Sequence, residues 1–401
     1  MKILVSNIGS TSFKFRLFDV DGGEREVAAG AADRIGAGGG ELNWQVAGAE
    51  AKTLKRDFAD HGEAISFVLE QLTADGALAE PGELDAVAFK AVMAGDWAAV
   101  ARVDEALLER MEYFAPVAPA HNPPYVAAMR MFGKVLPGVA LVAAFEPGFH
   151  RTNPPRRRLY ACPPAWAEDC GVKRYGFHGA SHRYIAVRMG ELMPAARRVI
   201  SCHLGGSSSL CAIRDGASVA TSMGLSPQSG LPQGTRIGDF DPFGLKLMMA
   251  ETGRDLDDLL AELGGRSGLA ALSGTGGDMR DIEAGAAGGD ERCRLTLDVY
   301  VTAIRDYLGA YLVELGGADA IAFTGGIGQG SPTVRARTLD GLDFAGIVLD
   351  AEANEKTADE GRIDAPESRT AVWVVPTNEE LIVARQAAEL LRGRRTGQND
   401  G

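Results

Sequence analysis

One short pattern that occurs twice limits the folds open to this chain more than any other feature. Ile3 to Asp19 reads ILVSNIGSTSFKFRLFD, and Val199 to Asp215 reads VISCHLGGSSSLCAIRD. The two align without a gap, setting Gly9 against Gly205, Ser12 against Ser208 and Asp19 against Asp215. Each predicts an apolar strand, a Gly-Ser turn and a second strand. In the first, Phe13, Phe15 and Leu17 fall on one face and Lys14 and Arg16 on the other, the period of two of a half-buried strand. A duplicated unit would explain the repeat. Two unrelated Gly-Ser hairpins would look the same.

Between and after the hairpins, helical and strand patterns alternate. Ile65, Val68, Leu69 and Leu72 have helical spacing, and Glu83 to Val92 holds a short strand. Val139 to Phe145 reads as a buried parallel strand. Helices are expected over about 245–263 and 290–315, and a strand over 320–324. Ser331-Pro332 is a helix start, since serine caps and proline suits the first helical position. A strand at 372–375 precedes a helix that begins at Asn378 and runs to Leu391, and a polar, frayed tail follows from Arg392. The alternation makes the chain α/β. At 401 residues it is long enough for two or three domains, with a boundary expected near 148–155. The basic triplet Arg156-Arg157-Arg158 reads as a solvated face.

A net charge of −13 argues against nucleic acid or an anionic membrane as the main partner. It permits a local basic pocket for a small anion. The five cysteines form no CxxC pair, and with six histidines they show no zinc spacing, so reduced thiols in a cytoplasmic protein are expected. The first residues lack a signal-peptide core, and no apolar run is long enough to span a membrane.

Glycine is the compositional outlier, with 51 residues, about double the usual ~7%. Three glycine-rich turns follow strands: 7–12, 203–209 and 324–330. Such turns offer backbone N–H groups and room for close approach, which a polyphosphate needs. None is a Walker A loop. The segment GGIGQG at 325–330 falls short of the dinucleotide fingerprint and lacks its distant acidic residue, which argues against NAD. Phosphoryl transfer also needs fixed cations and one or two carboxylates for Mg²⁺. His178 between glycines, His121, Arg236 in the long loop 224–242, Glu146 at a strand end and Glu379 at a helix start are the candidates.

Six motifs in order then resemble the acetate kinases, within the acetate and sugar kinase, Hsp70 and actin superfamily. They are Asn7 to Lys14, Arg174 to His182, Gly234 to Asp239, Gly277 to Asp281, Phe323 to Gly328 and Pro376 to Glu380. The resemblance covers nearly the whole chain. It implies two duplicated actin-like (ribonuclease H-like) domains, 1–148 plus 382–401 and 149–381, with the active site in the interdomain cleft. It implies transfer of the ATP γ-phosphoryl group to acetate, with Mg²⁺ or Mn²⁺, in a cytoplasmic homodimer.

The resemblance also implies roles. Asn7, Ser10, Ser12 and Lys14 would face the phosphates, as would His203, Leu204, Gly205, Gly206 and Ser207. His178 and Arg236 would stabilise the phosphoryl group in flight. Glu379, with Asn7, would hold Mg²⁺. Asp278, Met279 and Arg280 would lie near the adenosine, in a pocket lined by Gly325, Gly326, Ile327 and Gly328. Val92, Phe177 and Pro227 would form the slot for the acetate methyl, with His121 nearby. Four positions depart from the family's pattern. Lys90 matches an arginine that holds the substrate carboxylate, keeping charge but losing the bidentate fork. Glu146 matches an aspartate, Gly206 an asparagine and Ala120 a leucine, the last enlarging the slot. An inactive nucleotide-binding homologue, or a kinase for propionate or butyrate, would also carry such changes.

Overall fold

The computed structural model describes residues 1–393, so the tail from 394 onward lies outside the described residues. The chain forms two compact units, Met1–Gly148 with the described residues from Asn378 to Gly393, and Phe149–Thr377. Residues 378–381 thus group with the first unit, together with the rest of their helix.

The first unit holds an eight-stranded sheet: β1 (Lys2–Ile8), β2 (Ser12–Asp19), β3 (Arg25–Asp33), β4 (Glu41–Val46), β5 (Lys52–Lys55), β6 (Ala86–Ala91), β7 (Val100–Arg102) and β8 (Ala140–Phe145). Its order is β5-β4-β3-β2-β1-β6-β8-β7. β1 pairs antiparallel with β2 and parallel with β6, and β6 pairs parallel with β8. The second unit holds β9 (Arg198–His203), β10 (Ser209–Arg214), β11 (Ala217–Thr221), β12 (Ala320–Thr324), β13 (Gly361–Arg362) and β14 (Ala371–Val374). Its order is β11-β10-β9-β12-β14-β13, with β9 antiparallel to β10 and parallel to β12, and β12 parallel to β14. The core of each sheet is therefore the same: an antiparallel meander of three strands, then two strands parallel to its first.

Helices cover both faces of each sheet, because parallel strands are buried on both sides. In the first unit, Phe13 and Phe89 meet Phe132 of helix Asn122–Val135 edge to face, with ring centroids 5.8 and 5.4 Å apart. Helix His61–Ala74 buries Ile65, Val68, Leu69 and Leu72 in the same cluster, and Asp60 caps it through Glu63 N. Helix Glu379–Leu391 packs against β1, β6 and β8. In the second unit, the 25-residue helix Glu291–Leu315 buries Tyr300, Ile304 and Leu308 against Ile321 and Phe323. Helix Gly179–Leu192 places Ile185 and Met189 against Val199 and Ile213. Each such side chain contributes about 1.5–3 kcal/mol on leaving water.

Two sequence expectations change, and a third gains a partner. The gap-free alignment of the hairpins sets Lys14, which pairs with Asn7, against Leu210; the strand partner of His203 is instead Ser209. The second turn is one residue shorter, which a gap-free match conceals. The helix expected over 245–263 is two, Phe243–Thr252 and Leu256–Gly265, broken by Gly253 at φ +68° and restarted by the Asp255 cap. The basic triplet forms a helical turn, Pro155–Arg158, in which Arg156 and Arg157 pair with Glu314 at 3.0 and 3.1 Å. Burial would raise the Glu314 carboxyl's pKa, but the two guanidinium groups hold it below the usual range.

Candidate active site

In the first unit the expected residues meet at the carboxyl ends of β1, β6 and β8, where open α/β sheets bind ligands. Asn7 lies one residue before the end of β1, Lys90 one before the end of β6, and Glu146 follows β8. Glu379 opens the helix that crosses these strands. Its chain direction is fixed by Asn378, whose Oδ1 caps Leu381 N at 3.1 Å. Lys90 Nζ donates to Glu379 Oε2 at 2.5 Å, with the two side chains 23% and 12% exposed. Burial would lower the Lys90 pKa, but the carboxylates of Glu379 and Glu146 outweigh it and hold the ammonium above its ordinary value. Tyr125, which the sequence reading passed over, donates its phenol to Asn7 Oδ1 at 3.0 Å. Burial pushes that phenol up to about 12, against the pull of Lys90. Its only signal was a tyrosine inside the helix that begins beside His121.

The remaining first-unit candidates lie in the β1–β2 hairpin, just past β6 and before helix Asn122–Val135. Ser10 and Lys14 are exposed, and Gly9 N donates to the Ser12 carbonyl at 2.9 Å, closing the turn. Val92 is buried just past Lys90. The buried Asn122 amide donates to the carbonyls of Met93 and Met111 at 2.8 and 2.7 Å, fixing the segment that carries Val92. His121 stands at the N-cap of helix Asn122–Val135, and Ala120 before it is exposed.

In the second unit three glycine segments converge. Ile327 N and Gly328 N donate to the Leu204 carbonyl at 2.9 and 3.0 Å, and Gly234 N donates to the Gly206 carbonyl at 3.0 Å. The turn expected at 324–330 is instead a short helix, Gly325–Gly330, that starts directly after β12. Gly325 has φ +79°, and a side chain there would lie 2.5 Å from the Leu204 carbonyl. Gly277, at φ +80°, likewise faces the Gly234 carbonyl at 2.6 Å. These contacts need residues without Cβ and leave a floor of backbone. Beside it, Asp278 caps helix Met279–Ala287 and pairs with the exposed Arg280 at 2.6 Å. The Arg280 guanidinium pulls the Asp278 carboxyl down to about 2. Met279 is buried and Ile327 half-buried.

Arg236 and His178 stand beside the glycine turn 203–209. Arg236 Nη1 reaches Ser207 Oγ at 3.3 Å and Gln233 Oε1 at 3.1 Å, and burial lowers its pKa. His178 is left-handed at φ +54° where helix Gly179–Leu192 begins, a conformation costly for any residue but glycine. Its Nδ1 lies 2.8 Å from Ser209 Oγ, and its ring stacks on His203 at 4.2 Å. Of the two apolar candidates in this unit, Phe177 is buried and gives its carbonyl to His150 Nε2 at 2.9 Å. Pro227 gives its carbonyl to Gln233 Nε2 at 2.7 Å.

Comparison with known proteins decides the family. The Acetokinase family profile matches residues 2–385. The chain belongs to the acetokinase family. It is 40% identical over 397 residues to a protein named acetate kinase from Natranaerobius thermophilus, covering 98% of this chain and 100% of that one. An acetate kinase from Thermotoga maritima is also 40% identical, over 400 residues, covering 98% and 99%. Among solved structures, the acetate kinase of Porphyromonas gingivalis superposes with a TM-score of 0.87 at 34% identity, covering 97% and 99%. A propionate kinase from Francisella tularensis superposes at 0.89 with 27% identity, covering 96% and 98%. As in those acetokinase relatives, the fold is α/β with two mixed sheets. Among the described residues no helix is long and apolar enough to cross a membrane.

Proposed function

We propose that this acetokinase-family chain is an acetate kinase: one acetate oxygen attacks the γ-phosphorus of ATP, the bond to the ADP oxygen breaks, and acetyl phosphate and ADP result. The observation that carries this reading is the glycine floor of the second unit, with Arg236 held on Ser207 and His178 on Ser209 of the turn that forms part of it. Backbone there suits a nucleotide, with Asp278, Met279, Arg280 and Gly325 to Gly328 at the adenosine. His203 to Ser207, with Asn7, Ser10, Ser12 and Lys14 of the first unit, serve its phosphates. Fixed donors at His178 and Arg236 stabilise the charge on the transferred group's equatorial oxygens without reorganisation. Lys90 attracts the acetate carboxylate, and Val92, Ala120, His121, Phe177 and Pro227 border its methyl.

The oxygen donors of the first unit fit a hard cation. Two carboxylates, Glu379 and Glu146, lie close enough to act together on the Lys90 ammonium, so oxygen donors of the hard type are gathered here. Mg²⁺ takes one or two carboxylates together with phosphate oxygens. Glu379 and Asn7 would hold it, and when bound it neutralises phosphate charge. A homodimer is part of the same reading: Phe243, Leu247, Leu256 and Leu260 are exposed on two adjoining helices of the second unit, an apolar patch that suits a second copy. The reading also places the chain in the cytoplasm.

The test is Mg·ATP-dependent hydroxamate formation with acetate, propionate and butyrate as acceptors. Product with acetate at the highest kcat/KM is expected. No product from any acid in a folded sample that binds ATP makes the chain a nucleotide-binding homologue without turnover. The small Ala120 side chain favours some propionate turnover, so a preference for the longer acid moves the assignment within the same chemistry.

A further inference from the structure

Four of the chain's six histidines lie in one cluster of the second unit, each with a serine hydroxyl on a ring nitrogen, and Ser209 bridges two of them. One run of these links ends on His178. Ser201 Oγ lies 2.8 Å from His182 Nδ1, His182 Nε2 lies 2.9 Å from Ser209 Oγ, and Ser209 Oγ lies 2.8 Å from His178 Nδ1. Ser201, His182 and Ser209 are fully buried, so each proton in the run needs an acceptor inside the protein.

Counting protons gives the run a direction. A neutral imidazole has one donor nitrogen and one acceptor, and a hydroxyl has one proton. Among the described residues, the hydrogen-bond partner of Ser201 Oγ is His182 Nδ1. If Ser201 donates to that nitrogen, His182 carries its proton on Nε2 and donates to Ser209 Oγ. Ser209 then donates to His178 Nδ1, and every buried proton is used. In the reverse direction His178 Nδ1–H donates to Ser209, Ser209 to His182, and His182 to Ser201. The Ser201 proton then has no acceptor, at a cost of about 1–3 kcal/mol.

We infer that Ser201, His182 and Ser209 form a wire that holds neutral His178 with its proton on Nε2, making it a hydrogen-bond donor to the phosphoryl group. The second half of this statement rests on the proposed role of His178. His182 and Ser209 are positioning residues: they act through His178. Burial keeps His182 neutral, lowering its pKa well below the ordinary value, so the central link passes on one proton direction only. The second face of the His178 ring is covered by His203, whose Nδ1 lies 2.8 Å from Ser181 Oγ, which limits ring rotation.

The deciding measurement is the nitrogen–carbon-proton correlation spectrum of the full chain labelled with ¹⁵N histidine and free of substrate, which separates protonated from bare ring nitrogens. Through-bond correlation to the assigned backbone identifies the His178 signals in the wild-type chain, and His178→Ala checks them. The inference expects a bare Nδ1 and a protonated Nε2 at His178, and a protonated Nε2 at His182. Ser209→Ala is expected to mix the His178 tautomers and lower kcat about tenfold, as for one lost hydrogen bond, with KM for ATP and acetate unchanged. Ser209→Thr, which keeps a hydroxyl, is expected to restore both. A wild-type His178 protonated on Nδ1 overturns the wire, even if every variant fails to fold. A Ser209→Ala protein with His178 still on Nε2 does so too. If the spectra agree but His178→Ala keeps turnover within about tenfold, the wire stands and the phosphoryl role of His178 falls.

Discussion

β1 and β9 hold the same place in two sheets of the same core order, yet their carboxyl ends carry different chemistry. Past β1 the nearest functional groups are carboxylates and one ammonium: Glu379, Glu146 and Lys90, with Asn7 held by Tyr125. Past β9 they are imidazoles, a guanidinium, hydroxyls and bare glycine backbone. The first end suits a hard cation and a carboxylate, the second a polyphosphate. The shared scaffold sets where ligands meet the sheet, and the side chains that neighbouring elements bring to each end set which ligand. The one-residue shorter turn after β9 is where the two hairpins part.

The largest effect should come from the β9 side. Arg236→Ala is expected to lower kcat by about 10²–10³, the usual loss for one preorganised donor to transition-state charge, while KM for acetate stays within about threefold. Hydroxamate assays at saturating ATP measure it. A loss below about tenfold removes Arg236 from the transition state and breaks the division of labour between the two strand ends.

The second prediction separates the sheets by acid sensitivity. Burial lowers the His150 pKa to about 4 in the folded chain, against about 6.5 unfolded. Between those values the unfolded chain binds a proton and the folded chain does not, so stability is lost as pH falls from about 6.5 to 4. The full difference is about 3 kcal/mol. The urea midpoint should drop between pH 6.5 and 5, before most carboxylates titrate, and amide protection should weaken in β9–β11 before β1–β3. Equal weakening in both sheets, or an unchanged midpoint, contradicts it.

Third, the floor beside β9 depends on one missing side chain more than on its neighbour. Gly325→Ala must hold φ near +79° and meet the Leu204 carbonyl, whereas a Cβ at Gly326 meets nothing within 4 Å. The first is expected to cost about 2 kcal/mol in urea unfolding and to raise KM for ATP; the second should stay within about 0.5 kcal/mol. Equal costs would mean that the contact with Leu204 does not hold the glycine segment in place.

Much of this was legible in the sequence where a local rule decides the outcome. Asn378 and Ser331 start helices because an oxygen at the cap satisfies an orphan N–H, and both do so here. Ile65, Val68, Leu69 and Leu72 face a core because their spacing puts them on one stripe. The glycine turns and His178 were visible as residue types, but their convergence is a contact between 204, 234 and 325, far apart in sequence. Tyr125, Gln233 and the serines 201 and 209 were not legible. Tyrosine, glutamine and serine occur everywhere, and only the fold brings their polar atoms to Asn7, Arg236 and His178. The i, i+4 pair His178 and His182 was the one available signal for the wire. The Arg156–Glu314 pair joins residues on separate elements, so a basic triplet alone read as solvent-facing.

The smallest expected change returns to the β1 end. Lys90 spends its ammonium on Glu379 at 2.5 Å, and a point charge offers no fixed second pair of donors to a substrate carboxylate. Lys90→Arg keeps the charge and adds a planar fork, so one edge can stay on Glu379 while the other binds acetate in two parallel hydrogen bonds. KM for acetate should fall by less than about tenfold, worth about 1 kcal/mol, with kcat and KM for ATP within about twofold. The effect is small because the opposite charge is already present and only its geometry improves. A fall in KM for ATP instead of acetate would move Lys90 to the phosphates and make the β1 end more like the β9 end. An unchanged KM for both would leave Lys90 a partner of Glu379 alone.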